Sequence, residues 1–153
     1  MRTALWLVTA SLMLALTGCG GDDPAEGLVG NVDKARTAAS ITGLQTSLVT
    51  AASVQADSPS ATADNLVAAL QAKDPSSRYT TAPPGAAGVV QVAGGGGGPV
   101  MLVTINSGPS SQQPSYVATW QGGGSTMYYV GGQPPAYSPT APSAPGWTAS
   151  LPQ

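Results

Sequence analysis

Few side chains in this sequence can do chemistry, and their positions narrow what that chemistry is. Histidine is absent, so no Ser-His or Cys-His nucleophile pair can be assembled and the commonest metal ligand is missing. The single cysteine, Cys19, ends an apolar run. The seven carboxylates (Asp22, Asp23, Glu26, Asp33, Asp57, Asp64 and Asp74) are dispersed. Asp22, Asp23 and Glu26 come closest to a set for a hard cation. Beside Gly20 and Gly21 they read instead as a solvated acidic spacer without a preformed cage. The glycine run at 94–98 is followed by Pro99 and an apolar stretch, not by the Lys-[Ser/Thr] and helix that a phosphate loop requires. It reads as a flexible hairpin connection. Tyr116, Trp120, Tyr128 and Tyr129 lie in strand-like runs. On an outer sheet face they form a candidate binding platform for sugars, set against the commoner role of cross-strand packing. No acid–base constellation is present, so the chain reads as non-enzymatic, with no catalytic residue, no metal and no cofactor expected.

Cys19 carries more information than the rest. Met1 and Arg2 give a positive end, residues 4–16 give a short run of Leu, Ala and Val, and Leu16-Thr17-Gly18-Cys19 closes it. The run is shorter than the roughly 20 apolar residues that span a bilayer as a helix, and it fits the apolar part of an export signal followed by a small-residue cleavage site. Leu16, Thr17, Gly18 and Cys19 resemble the lipobox of bacterial lipoproteins. The resemblance implies a signal peptide at 1–18, diacylation of Cys19 including palmitate, and a protein held on a cell membrane facing outside the cytoplasm. The competing reading is an uncut membrane anchor with Cys19 an ordinary thiol. Two or more acyl chains give stable attachment at about 0.8 kcal/mol per buried methylene, whereas one holds only marginally.

The part after residue 18 is long enough for one small domain with a modest core. Every charged side chain lies at or before Arg78. A weakly acidic chain without a basic patch excludes nucleic acid as a partner, because that binding rests on neutralising phosphates with Lys and Arg. Electrostatic docking to anionic lipid heads is excluded for the same reason.

These residues need elements to hold them. Residues 19–30 read as a lipidated, polar tether. Residues 31–56 read as a helix capped by Asn31, with Asp33 in its first turn and Ile41, Leu44, Leu48 and Ala51 or Ala52 on one apolar stripe. Gly43 and the many Thr and Ser make this helix dependent on packing. A second, shorter helix is predicted at 63–72, capped by Thr62 and stopped at Asp74-Pro75. From Tyr79 on the pattern changes to short runs rich in β-branched and aromatic residues at 89–93, 100–105, 116–120 and 127–130, which predict an antiparallel meander. The expected fold is α+β, a long N-terminal helix and a short one packed on a small antiparallel sheet of three to four strands. Residues 133–153, with proline at 134, 135, 139, 142, 145 and 152, read as a disordered, solvated tail rather than a peptide ligand, although Pro139 and Pro142 have PxxP spacing.

Leu28-Val29-Gly30-Asn31-Val32-Asp33-Lys34-Ala35-Arg36 resembles the start of the exposed helix half in type IV pilins and type II secretion pseudopilins. Ala63-Asp64-Asn65-Leu66 is similar to the segment after their main helix, and Gly124-Ser125-Thr126-Met127-Tyr128-Tyr129-Val130 to the closing strand of small pilin heads. The resemblance implies a pilin-like head over 31–132. It implies a structural or interaction role, with protein partners in a pilus-like or type II secretion-like assembly. Polymerisation is not implied, because the prepilin-peptidase site and the glutamate-bearing apolar helix half are replaced by the lipobox and tether. No carboxylate follows Asp74 to build the calcium site of major pseudopilins, and one cysteine cannot close a disulfide loop. The alternative function is a cell-wall or glycan-binding surface lipoprotein that uses the aromatic sheet face.

Overall fold

Ile41, Leu44, Leu48 and Ala51 recur every three or four residues. In the computed structural model, which describes residues 24–106 and 115–151, they form the buried stripe of a long helix, α1 (Pro24–Asp57). The helix starts at Pro24, so Asn31 lies inside it rather than capping it, and it takes in part of the expected tether. A proline suits a helix's first turn, where its missing N–H costs nothing. The hydroxyl side chains do not break the helix, because they bond back along it. Thr42 donates to the Ala38 carbonyl (2.9 Å), Thr46 to Thr42 (3.1 Å), Ser47 to Gly43 (3.2 Å) and Thr50 to Thr46 (3.3 Å).

Helix α2 (Ala63–Lys73) has the predicted cap. The Thr62 hydroxyl accepts from the Asn65 amide, the Asn65 side chain reaches back to the Thr62 amide, and Asp74 ends the helix. Leu66 and Leu70 form its buried face.

The sheet corrects the expected three to four antiparallel strands. It has six strands in the order β1-β2-β3-β4-β5-β6, and it is mixed. β2 (Val89–Gly94), β3 (Val100–Asn106), β4 (Ser115–Gly122) and β5 (Ser125–Gly131) are the predicted antiparallel meander. β1 (Arg78–Thr80) pairs parallel to β2, and β6 (Trp147–Thr148) pairs antiparallel to β5. Both additions are too short to show a period in sequence. β1 is held from outside the ladder as well. Gln71 on α2 accepts the Tyr79 amide (3.2 Å) and donates to the Ser77 carbonyl (2.8 Å).

The sheet is buried on both faces. Val92, Val100, Leu102 and Val117 meet the stripe of α1 and Leu66 and Leu70 of α2. On the other face Met101, Val103, Ala118, Trp120 and Tyr129 form a second cluster, with Trp147 packed against it. The segment expected to be disordered covers that face. Trp120 Nε1 donates to the Ser138 carbonyl (2.9 Å), Tyr129 OH to the Gln133 carbonyl (2.9 Å) and Tyr137 OH to the Pro99 carbonyl (3.2 Å). The Trp147 ring lies 5.4 Å from that of Tyr129, tilted by 50°, and Pro142 is buried. Repeated prolines restrict the unfolded chain, so ordering this segment costs less than for an ordinary linker.

Two polar side chains of the inner face contrast. Thr104 donates to the Val89 carbonyl (2.9 Å), whereas the fully buried Thr119 hydroxyl has no hydrogen-bond partner among the described residues. Replacing it by a methyl removes a desolvated polar group without changing the side chain's outline. T119V is therefore expected to stabilise the protein by about 1 kcal/mol, read as a higher urea midpoint at unchanged slope. A loss of stability would show that the hydroxyl is bonded in solution.

Candidate functional site

The lipobox residues Leu16, Thr17, Gly18 and Cys19 lie outside the described residues. Among the described residues no group of three or more His, Cys, Asp or Glu side chains comes together, and no helix is long and apolar enough to cross a membrane.

The four aromatics do not make one platform. Successive strand residues point to opposite faces, so Tyr128 and Tyr129 are separated by the sheet itself. Tyr128 is on the helix side, where its hydroxyl accepts from Gln45 Nε2 (2.9 Å). Tyr116, Trp120 and Tyr129 share the other face. That face is closed by the C-terminal segment, leaving Trp120 2% and Tyr129 9% exposed. Trp120 and Tyr129 anchor the chain's own tail, which lies over this face.

The glycine run is a turn with fixed contacts, not a flexible connection. Gly94, Gly95, Gly96 and Gly97 all have positive φ. The Gly96 amide donates to the Ala61 carbonyl (2.7 Å) and the Gly98 amide to that of Gly95 (3.2 Å), while Gln55 Nε2 holds the Gly98 carbonyl (3.1 Å). A Cβ on Gly95 would sit 2.6 Å from the Ala61 carbonyl oxygen. The run thus seats the β2–β3 hairpin against the α1–α2 corner, and the Gly96 and Gly98 amides that could face a phosphate are taken by carbonyls.

A polar cleft that the sequence reading did not single out lies between α1 and the α2–β1 corner. Gly43, Thr46, Ser47 and Thr50 line it from α1, and Lys73, Asp74 and Tyr79 line it from the other side. Its volume is about 380 Å³, within the roughly 300–1,000 Å³ of small-molecule sites. It continues past Ser47 and Tyr79 towards Ser40, Ser77 and Thr104. The Tyr79 hydroxyl bridges the walls, 2.9 Å from Ser47 Oγ and donating at 3.5 Å to Asp74 Oδ2. Hydrogen bonds from the Ser76 hydroxyl, and then from Ser77, stabilise the charged form of Asp74 and lower its pKa to about 2. The carboxylate is therefore ionised throughout the physiological range. The sequence offered two signals here, a glycine in mid-helix and an aspartate that both ends a helix and precedes two serines.

Comparison of the chain with protein-family models, with curated proteins and with solved structures finds no match.

Proposed function

We propose that this chain is a lipid-anchored extracytoplasmic protein whose helix-on-sheet head serves as a structural or interaction module beside a pilus-like or type II secretion-like assembly. The observation that carries the reading is Leu16-Thr17-Gly18-Cys19 at the end of a short apolar run. A cysteine acylated there would hold the head to the membrane by lipid, and a second acyl chain makes that attachment stable. Two features of the head support the interaction role. Helix α1 begins at Pro24, close behind Cys19, so the anchor leads almost directly into a stiff element. Residues 30–36 of that helix lie largely outside the core, with Val32 47% exposed, while the later turns lie on the sheet. A helix whose turns at 30–36 stand clear of a meander that its later turns pack on fits the pilin resemblance. The alternative, a cell-wall or glycan-binding lipoprotein acting through the aromatic sheet face, has less support because the tail already occupies that face.

C19A is the direct test. The variant is expected to lose both palmitate labelling and signal-peptide cleavage, and to accumulate as the uncut precursor. Cleavage at the same bond with retained labelling would sink the lipoprotein reading.

A further inference from the structure

We propose that the cleft between α1 and the α2–β1 corner binds a neutral saccharide. Three observations converge on this. The first is Gly43. A glycine inside a helix costs about 1 kcal/mol relative to alanine. Close approach of a neighbour, the usual reason to accept that cost, does not apply, because a Cβ built on Gly43 meets nothing within 4 Å. What the missing side chain leaves is open space in the cleft between Thr46 and Ser47 on α1 and Asp74 and Tyr79 opposite.

The second is the direction of the hydrogen bonds. Thr46 and Thr50 each donate to the carbonyl four residues earlier, so their protons are committed to the helix, whereas Ser47 Oγ is shared between the Gly43 carbonyl and the Tyr79 hydroxyl. The oxygen lone pairs of Thr46 and Thr50 are what remain for a ligand. Asp74, held ionised, only accepts; its Oδ1 already takes the Ser76 amide and hydroxyl and its Oδ2 the Tyr79 hydroxyl, so Oδ2 is the side turned to a ligand's donor. A surface this rich in acceptors is complementary to a ligand rich in donors, and a polyhydroxylated molecule supplies several on one small frame.

The third is charge and shape. Lys73 and Asp74 stand side by side in sequence at the same mouth, so neither an anion nor a cation gains a net field there. A neutral ligand loses nothing by this, and Lys73 still offers donors to a ring or glycosidic oxygen. Tyr79 adds an aromatic ring to the wall, a surface suited to the apolar face of a pyranose. The proposal is independent of the lipid anchor, and the C19A protein should bind as the acylated one does.

The test uses the full chain in a sugar-free zwitterionic detergent, applied to an array of immobilised neutral and acidic oligosaccharides. Binding to at least one neutral glycan is expected, weakened at least tenfold by D74A. G43Q supplies the readout that a merely structural role would not give. Its side chain has room and a better helix propensity, so the variant should melt at a higher temperature than the parent and yet lose the glycan signal. No neutral glycan above background, binding confined to acidic glycans, or binding retained in G43Q would each overturn the proposal.

Discussion

A chain ended after Gly132 is expected to melt ~5 °C or more below the intact protein and to bind an apolar dye that the intact protein excludes. The estimate weighs two opposing terms. Removing residues 133–151 uncovers Met101, Val103, Ala118, Trp120 and Tyr129, all of which are buried. Large apolar side chains lose roughly 1.5–3 kcal/mol each on such exposure. Against this, the truncated chain no longer orders its tail and so recovers the conformational entropy of the residues that were fixed. Prolines at 134, 135, 139, 142 and 145 shrink that gain because they were restricted before folding. The tail lies docked on the sheet, so the burial, together with the bonds of Trp120, Tyr129 and Tyr137 to their carbonyl partners, outweighs that entropy, and their loss lowers the melting temperature. W147A tests the same contact more gently. It deletes the ring against Tyr129 and the side chain of the β5–β6 pair, and should lower the melting temperature by a smaller amount. A truncated protein that melts with the intact one would show that the tail is not docked.

That tail marks where the sequence was readable and where it was not. The helix stripe, the Thr62 cap and the four central strands were legible because each rests on local spacing: 3.6-residue recurrence, a cap three residues before its partner, and β-branched runs between turns. β1 and β6 were not, since three and two residues cannot display a period and their pairing depends on distant partners. The cover of the second face was present in the sequence as an unused signal. Val100-Met101-Leu102-Val103 is a continuous apolar run, the pattern of a strand buried on both sides, whereas a sheet with one wet face alternates. Something had to lie on the second face, and Trp147 in the proline-rich segment was a large apolar side chain left to do it. Composition argued for disorder because it averages over the segment; docking was decided by the Trp147 ring, by Pro142 and by the Tyr137 hydroxyl's bond to Pro99. Tyr128 parts from the other three aromatics for a simpler reason, that adjacent strand residues cannot share a face, and the tail lies over the face those three share. The cleft around Gly43 and Asp74 was hidden because its two walls are separated by a helix and a turn, and only the packing of α1 against the α2–β1 corner brings them together.

The largest single-site effects are expected at Leu44 and Leu48. Both sit one turn apart on the stripe of α1, 2% and 3% exposed, against the inner cluster of the sheet. Truncating either to alanine removes buried methyl groups and leaves a cavity that neighbours fill only in part, at a cost of about 2–5 kcal/mol. The two losses fall in one cluster, so they need not add, but even the lower sum is a large share of the roughly 5–15 kcal/mol that holds a small domain folded. The L44A/L48A double variant should therefore be largely unfolded at room temperature. Thr46 lies between them in sequence and on the exposed side of the helix, with its hydroxyl bonded back to Thr42. T46A gives up that local bond and gains helix propensity, so its effect should stay within about 0.5 kcal/mol. The contrast between neighbouring positions is what discriminates. A helix that stood free as a stalk would feel all three substitutions through propensity alone, where leucine and threonine differ from alanine by only a few tenths of a kcal/mol, about 0.7 at most. Equal, small shifts at Leu44, Leu48 and Thr46 in thermal melts would remove the helix from the sheet. The inner core, the cleft and the pilin-like reading of the head would fall with it.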